Sequence, residues 1–192
     1  IQRAKKASAQ AVISVVIVGL FFTVLTLSLS SYVPVWMQID PTVQKLSAQY
    51  FFILYSPMLF RTASIIFGTI LRAAGDSKTP MRAGLLVNAV NIVLNFLLIY
   101  PTRTMNVSSL SIVLPGADMG VIGAGIASAV AYAVGGIVIT VALLRHPVIS
   151  PVGQKLRPDF SVLRPCLKVA IPNALQRFAT SFGYVVFASM IN

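Results

Sequence analysis

Five long apolar runs, separated by short polar or basic segments, set the pattern of this chain. Residues 11–33 contain no charge. Residues 46–71 are broken only by Arg61, and residues 83–100 form a shorter run. Residues 119–144 are again uncharged, and residues 169–191 are interrupted by Arg177. A helix needs about 20 apolar residues to cross the hydrocarbon core of a bilayer. A helix of a water-soluble bundle instead keeps a polar stripe at a period of about 3.6 residues. These runs are apolar nearly all round, so the pattern predicts an all-α, polytopic transmembrane bundle with five spans.

Charge sharpens that picture. Hydrophobic residues make up 57% of the 192 residues and charged residues 10%, well under the roughly 25% of soluble domains. The net charge of +11 raises the question of nucleic acid as a partner. Nucleic-acid binders, however, set their Lys and Arg among polar and aromatic residues on wet faces. Here the bases cluster at the ends of apolar runs, so nucleic acid is excluded and lipid is the expected partner. Arg3, Lys5, Lys6, Arg72, Lys78, Arg82, Arg145, Lys155, Arg157, Arg164 and Lys168 fall in alternate connections, against Lys45 and Arg103 in the others. The positive-inside rule places the first group in the cytoplasm and predicts a multi-pass protein of a bacterial cytoplasmic (inner) membrane.

Within this frame, residues 145–168 stand apart. They are basic and carry Pro147, Pro151, Pro158 and Pro165, which disfavours continuous helix and predicts a cytoplasmic linker. The outer loop 101–118 carries Thr, Asn and Ser and is expected to be irregular. On the fourth span Gly123, Ala127, Ala131 and Gly135 recur every four residues, a spacing that lets helices pack closely in lipid. Pro57 and Pro172 lie inside spans, where each removes a backbone hydrogen bond and is expected to bend its helix. The chain begins without Met and ends inside an apolar run, as an internal stretch of a longer protein would.

Polar groups inside the spans are the candidate functional residues, because hydrocarbon tolerates them only against a partner or water. Asn88, Asn91 and Asn95 share one helical stripe. Either they line a cavity or they hold neighbouring helices together. Asn173, Gln176, Arg177 and Thr180 form a second stripe just after Pro172. Either it walls a cleft, or Arg177 snorkels to the interface. Arg61 lies eleven residues before Arg72, roughly 16 Å deeper along a helix. An unpaired Arg at such depth costs at least about 2.5 kcal/mol, so it is expected to face protein or water.

No enzyme chemistry is legible. The one cysteine, Cys166, and the one histidine, His146, allow neither a disulfide nor a multi-cysteine metal site. No Gly-rich phosphate loop or nucleophile triad is present. No metal site and no cofactor are expected.

The run from Leu71 to Met81, LRAAGDSKTPM, resembles the loop motif LRGxGDTRTPM of the MATE (multidrug and toxic compound extrusion) transporters. It is followed by NAVNIVLN from Asn88, MGVIGAGIAS from Met119 and VAIPNALQ from Val169. These are similar to that family's NxxNIxLD/N, LGVxGAAxAT and LGLPxxLQ, in the same order. The resemblance implies a twelve-helix, two-lobe transporter of which this stretch is the third to seventh helices. Residues 1–144 would be four helices of the N-terminal lobe, 145–168 the cytoplasmic inter-lobe linker, and 169–192 the first helix of the C-terminal lobe. The remaining helices of the full-length chain would complete both lobes.

The resemblance further implies export of drugs or other organic cations and amphipathic compounds by antiport with protons or sodium. It places Asn91, Asn95 and Ser128 on a cavity wall. At Asn95 family members often carry Asp, so here an amide replaces the carboxylate. The other expected cavity residues are Asn88, Asn173, Gln176 and Arg177. Arg72, Gly75, Asp76 and Pro80 form the loop motif. Gly75 suits a tight turn and Asp76 suits a helix cap, a topological role that needs no substrate contact. A flippase for lipid-linked sugars, from the same wider superfamily, is the competing expectation, and Arg61 and Arg177 are the residues that favour it.

Overall fold

The computed structural model describes residues 2–37, 39–107, 110–154 and 159–191. Lys155, Arg157 and Pro158 of the expected linker lie outside the described residues, as do the side chains of Arg3, Arg103, Pro165 and Cys166. The chain divides into two units, residues 1–154 and 155–192.

The first unit is a helical bundle with one hairpin. Its elements are α1 (Gln2–Leu29), α2 (Val33–Trp36), α3 (Pro41–Tyr55), α4 (Met58–Ala73), α5 (Lys78–Leu98), β1 (Pro101–Val107), β2 (Leu110–Ala117) and α6 (Gly120–Arg145). α1, α5 and α6 are each long and apolar enough to cross a membrane. α3 and α4 together make a fourth such span, bent by 42° at a short break. The bend falls at Pro57, which has no N–H to donate and whose ring crowds the preceding turn. The first span is shifted from its expected bounds. α1 runs in from Gln2, taking Lys5 and Lys6 into its first turns, and stops at Leu29. Residues 30–36 instead make a turn and the short α2, where Tyr32 stacks on Trp36 with ring centroids 6.3 Å apart.

α6 is the organising helix, packed against α3, α4 and α5, while α1 lies on α4. Gly123, Ala127, Ala131 and Gly135 are all buried on α6. A Cβ at Gly123 would lie 2.6 Å from the Leu98 carbonyl oxygen of α5. One at Gly136 would lie 2.5 Å from the Phe60 carbonyl oxygen of α4. Glycine on two sides of α6 therefore lets two helix backbones approach to contact distance, the packing available where lipid removes most of the hydrophobic drive between helices.

The core cluster sits at one end, where Ala63, Phe67, Leu71, Ala83, Ile139, Leu143 and Ile149 pack with Val15. Arg72, Lys78, Arg82 and Arg145 belong to the same end, which is called the basic end below. Elsewhere the apolar side chains point outward: Ile17, Phe21, Val24 and Ile92 are 61–68% exposed. Water would penalise that surface by roughly 25 cal/mol per Å²; a bilayer does not.

The loop expected to be irregular is an antiparallel hairpin. β1 pairs with β2 from Pro101 opposite Ala117 to Val107 opposite Leu110, with a register shift between Pro101 and Arg103. Many of its residues are β-branched: Thr102, Thr104, Val107, Ile112 and Val113 all favour strand. The Thr102 hydroxyl and Gly116 backbone close the open end, with Oγ1 donating to the Gly116 carbonyl at 3.1 Å and accepting its N–H at 3.2 Å.

The second unit holds α7 (Phe160–Ile191), which corrects the expected helix start at residue 169. Asp159 starts it early by accepting the Ser161 N–H at 2.9 Å and hydroxyl at 2.6 Å. The helix then runs on through Pro165 and Pro172. Among the described residues α7 is not one of the helices that pass as membrane spans by length and hydropathy. Asn173, Gln176, Arg177 and Thr180 lower its apolar character.

Candidate functional site

The central polar feature is a small network between α5 and α6. Asn91 and Asn95 are one turn apart on α5, and Asn95 Nδ2 donates to Asn91 Oδ1 at 2.9 Å. Asn91 Nδ2 in turn donates to Ser128 Oγ on α6 at 3.2 Å. The chain of donors ends on one loose acceptor, since Asn95 Oδ1 is buried and receives no hydrogen bond among the described residues. A buried amide oxygen without a donor is costly. It is the atom at which a proton donor, a cation or an ordered water gains most.

Asn88 lies one turn away on the same stripe but belongs to a different place. It is exposed and lines a cleft of about 310 Å³ between α4, α5 and α6. Arg61, Ser64, Arg72 and Tyr132 line the same cleft. The guanidinium of Arg61 sits 5.0 Å from the Tyr132 ring centroid, a cation–π contact. The structure therefore divides the three asparagines, two in a helix-to-helix network and one in a basic cleft. Tyr132 and Ser64 are site residues that sequence reasoning passed over. Their signal is spacing: Tyr132 follows Ser128 by four residues on α6, and Ser64 follows Arg61 by three on α4. Each places a polar tip on an already polar face.

The loop motif between α4 and α5 is explained by backbone geometry. The Asp76 N–H bonds the Leu71 carbonyl at 2.9 Å and the Gly75 N–H bonds the Arg72 carbonyl at 3.0 Å. That pair closes the helix as a Schellman motif. It requires Gly75 at φ +91°, a left-handed conformation that glycine adopts without a Cβ clash. Asp76 Oδ1 then accepts the Thr79 N–H at 3.0 Å. Hydrogen bonds from the Thr79 side chain and then its backbone hold the Asp76 carboxyl below its ordinary range, and the charge of His146 acts in the same direction. Pro80 lines the basic cleft, and the motif thereby joins the two helices that carry it. Asp40 does the same work for α3, its carboxyl lowered by the Thr42 hydroxyl and N–H at 2.7 and 2.8 Å.

At the opposite end a second cavity, of about 440 Å³, opens among Ser30, Ser31, Gln49 and Phe52. On α7, Asn173, Gln176, Arg177 and Thr180 are exposed, and the Thr180 hydroxyl donates to the Gln176 carbonyl at 2.9 Å. α7 stands in its own unit. Among the described residues, no group of three or more His, Cys, Asp or Glu could hold a metal ion.

Long outward-apolar helices, a helix-to-helix amide network in their midst and a basic end define a multi-pass membrane protein. Comparison with known proteins agrees. A family model, MatE, matches residues 1–97. The probable multidrug resistance protein NorM of Thermotoga maritima is 24% identical over 173 residues, 90% of this chain. The chain spans 35% of that relative's length. No solved structure matches significantly. The chain belongs to the MatE family.

Proposed function

We propose that the intact protein is a secondary active transporter of the bacterial cytoplasmic membrane. It exports drugs or other organic cations and amphipathic compounds, driven by inward movement of protons or sodium. Residues 1–144 form four spans of one lobe, residues 145–159 a cytoplasmic connection, and α7 (Phe160–Ile191) the first helix of the second lobe. The two lobes rock about a shared cleft, and occupancy of a site within a lobe biases which side is open.

The observation that carries this reading is the Asn95–Asn91–Ser128 network. A bundle that only needs to pack gains little from a buried amide oxygen left without a donor. A transport path gains a group that a solute or ion can address. Membership of the MatE family and likeness to a protein named for multidrug resistance support the same substrate class.

The test is ion-driven dye efflux from vesicles holding the intact protein. Asn91→Leu removes both links of the network and is expected to slow efflux severalfold at unchanged membrane abundance. Equal loss of abundance and efflux would assign the network to packing and sink this role. Labelled lipid-linked sugar, offered in the same vesicles, separates the exporter from a flippase.

A further inference from the structure

The cleft between α4, α5 and α6 is not used by the reading above, and its chemistry differs from that of a site for organic cations. Two guanidinium groups, those of Arg61 and Arg72, line it. No carboxylate occurs anywhere on α4, α5 or α6. The nearest acid in sequence, Asp76, has its Oδ1 occupied by Thr79, and the positive charge acting on it is that of His146.

The two arginines share a helix face with Ser64 and Gly68 at positions i, i+3, i+7 and i+11. Gly68 is what lets them share one space. The Arg72 head folds back over it, with Nη1 3.6 Å from where a Cβ would sit. Arg72 Nη2 donates to Thr69 Oγ1 at 3.1 Å. The Arg61 guanidinium sits over the Tyr132 ring, and its N–H groups have no hydrogen-bond acceptor among the described residues. Ser64 and Asn88 add neutral donors to the same lining. The lining residue Ile65 is 61% exposed, so the cleft opens sideways onto the lipid-facing surface as well as toward the basic end.

We infer that this cleft binds a phosphate-bearing anion, supplied by the headgroup of an anionic lipid in the adjoining leaflet. Arg72 takes the phosphate at headgroup depth. Arg61 draws it inward, and the acyl chains run along the Ile65 flank. Planar guanidinium forks recognise phosphate oxygens in pairs, and basic pockets between membrane helices select anionic headgroups. The inference stands apart from the exporter reading, since neither Arg61 nor Arg72 belongs to the α5–α6 network.

The experiment measures lipid binding by the intact protein purified in a maltoside detergent, through the shift in its thermal unfolding midpoint. The probes are phosphatidylglycerol, phosphatidylcholine and inorganic pyrophosphate. Phosphatidylglycerol is expected to raise the midpoint and phosphatidylcholine not. Arg61→Gln and Arg72→Gln are each expected to weaken the phosphatidylglycerol response roughly tenfold in concentration, the loss of a charge-assisted pair. Asn88→Ala, which removes only an exposed side chain, weakens it less and guards against misfolding of the arginine variants. Lys78→Gln, a base at the same end but outside the cleft lining, leaves the response intact. A response to pyrophosphate that the same arginine variants abolish assigns the site to a soluble phosphate compound instead of a lipid. Equal responses to the two lipids would overturn the site, as would a Lys78→Gln loss matching that of Arg61→Gln.

Discussion

Asp76 shows how a single side chain can be read through its hydrogen bonds. The folded chain holds its carboxyl below the ordinary range, so between the folded and unfolded values the folded state binds fewer protons. Stability from this cap is therefore complete at neutral pH and is lost as acid protonates the folded carboxyl. Asp76→Ala is expected to lower the thermal midpoint at pH 7, with the gap to the parent closing in strong acid. A gap that stays constant across the titration would show that the cap is not the cause. The positions around it were legible in sequence: Gly75 at a turn and Asp76 before a helix both carry their usual roles. What sequence could not give was the division of Asn88 from Asn91 and Asn95. All three share an arc of α5, and only the positions of α4 and α6 decide which of them meets Ser128 and which meets Arg61.

Elements were legible where hydropathy alone decides them, and less so where local chemistry competes. α5 and α6 lie close to their apolar runs. The hairpin was missed because its Thr and Ser read as polar loop, while β-branching was the stronger influence on the backbone. The bend at Pro57 follows the expectation from its ring and missing N–H, whereas the early start of α7 was missed because the Asp159 cap overrides a long pattern. Pro57→Ala restores a donor and removes the ring, so the 42° bend is expected to relax. Spin labels placed on α3 and α4 would then report a longer separation, and an unchanged distance would mean that packing alone imposes the angle. Gly136 is the corresponding contact between elements. Gly136→Leu drives a side chain into the Phe60 backbone and is expected to cost about 1–3 kcal/mol, read by unfolding in detergent. Gly84→Ala, with nothing within 4 Å of the new Cβ, is expected to be tolerated.

At the scale of the whole molecule, the outward apolar surface requires lipid or detergent to keep the bundle dispersed. Charge placement adds a direction. A cysteine introduced at Ser77, in a background with Cys166 replaced, is expected to react with an impermeant reagent only from the cytoplasmic side. One at Thr102 is expected to react only from the outside. Labelling of both from one side would invert or abolish the proposed topology.

The network on α5 and α6 also has an electrical consequence. Two amides and a hydroxyl neither gain nor lose a proton across the physiological range, so this wall keeps the same charge in acidic and neutral surroundings. In the proposed transport cycle, any acid sensitivity then arises from carboxylates or imidazoles elsewhere in the intact protein. Asn95→Asp, by adding one titratable group at that wall, is expected to add an acid-dependent limb to whatever pH profile the parent's dye efflux has.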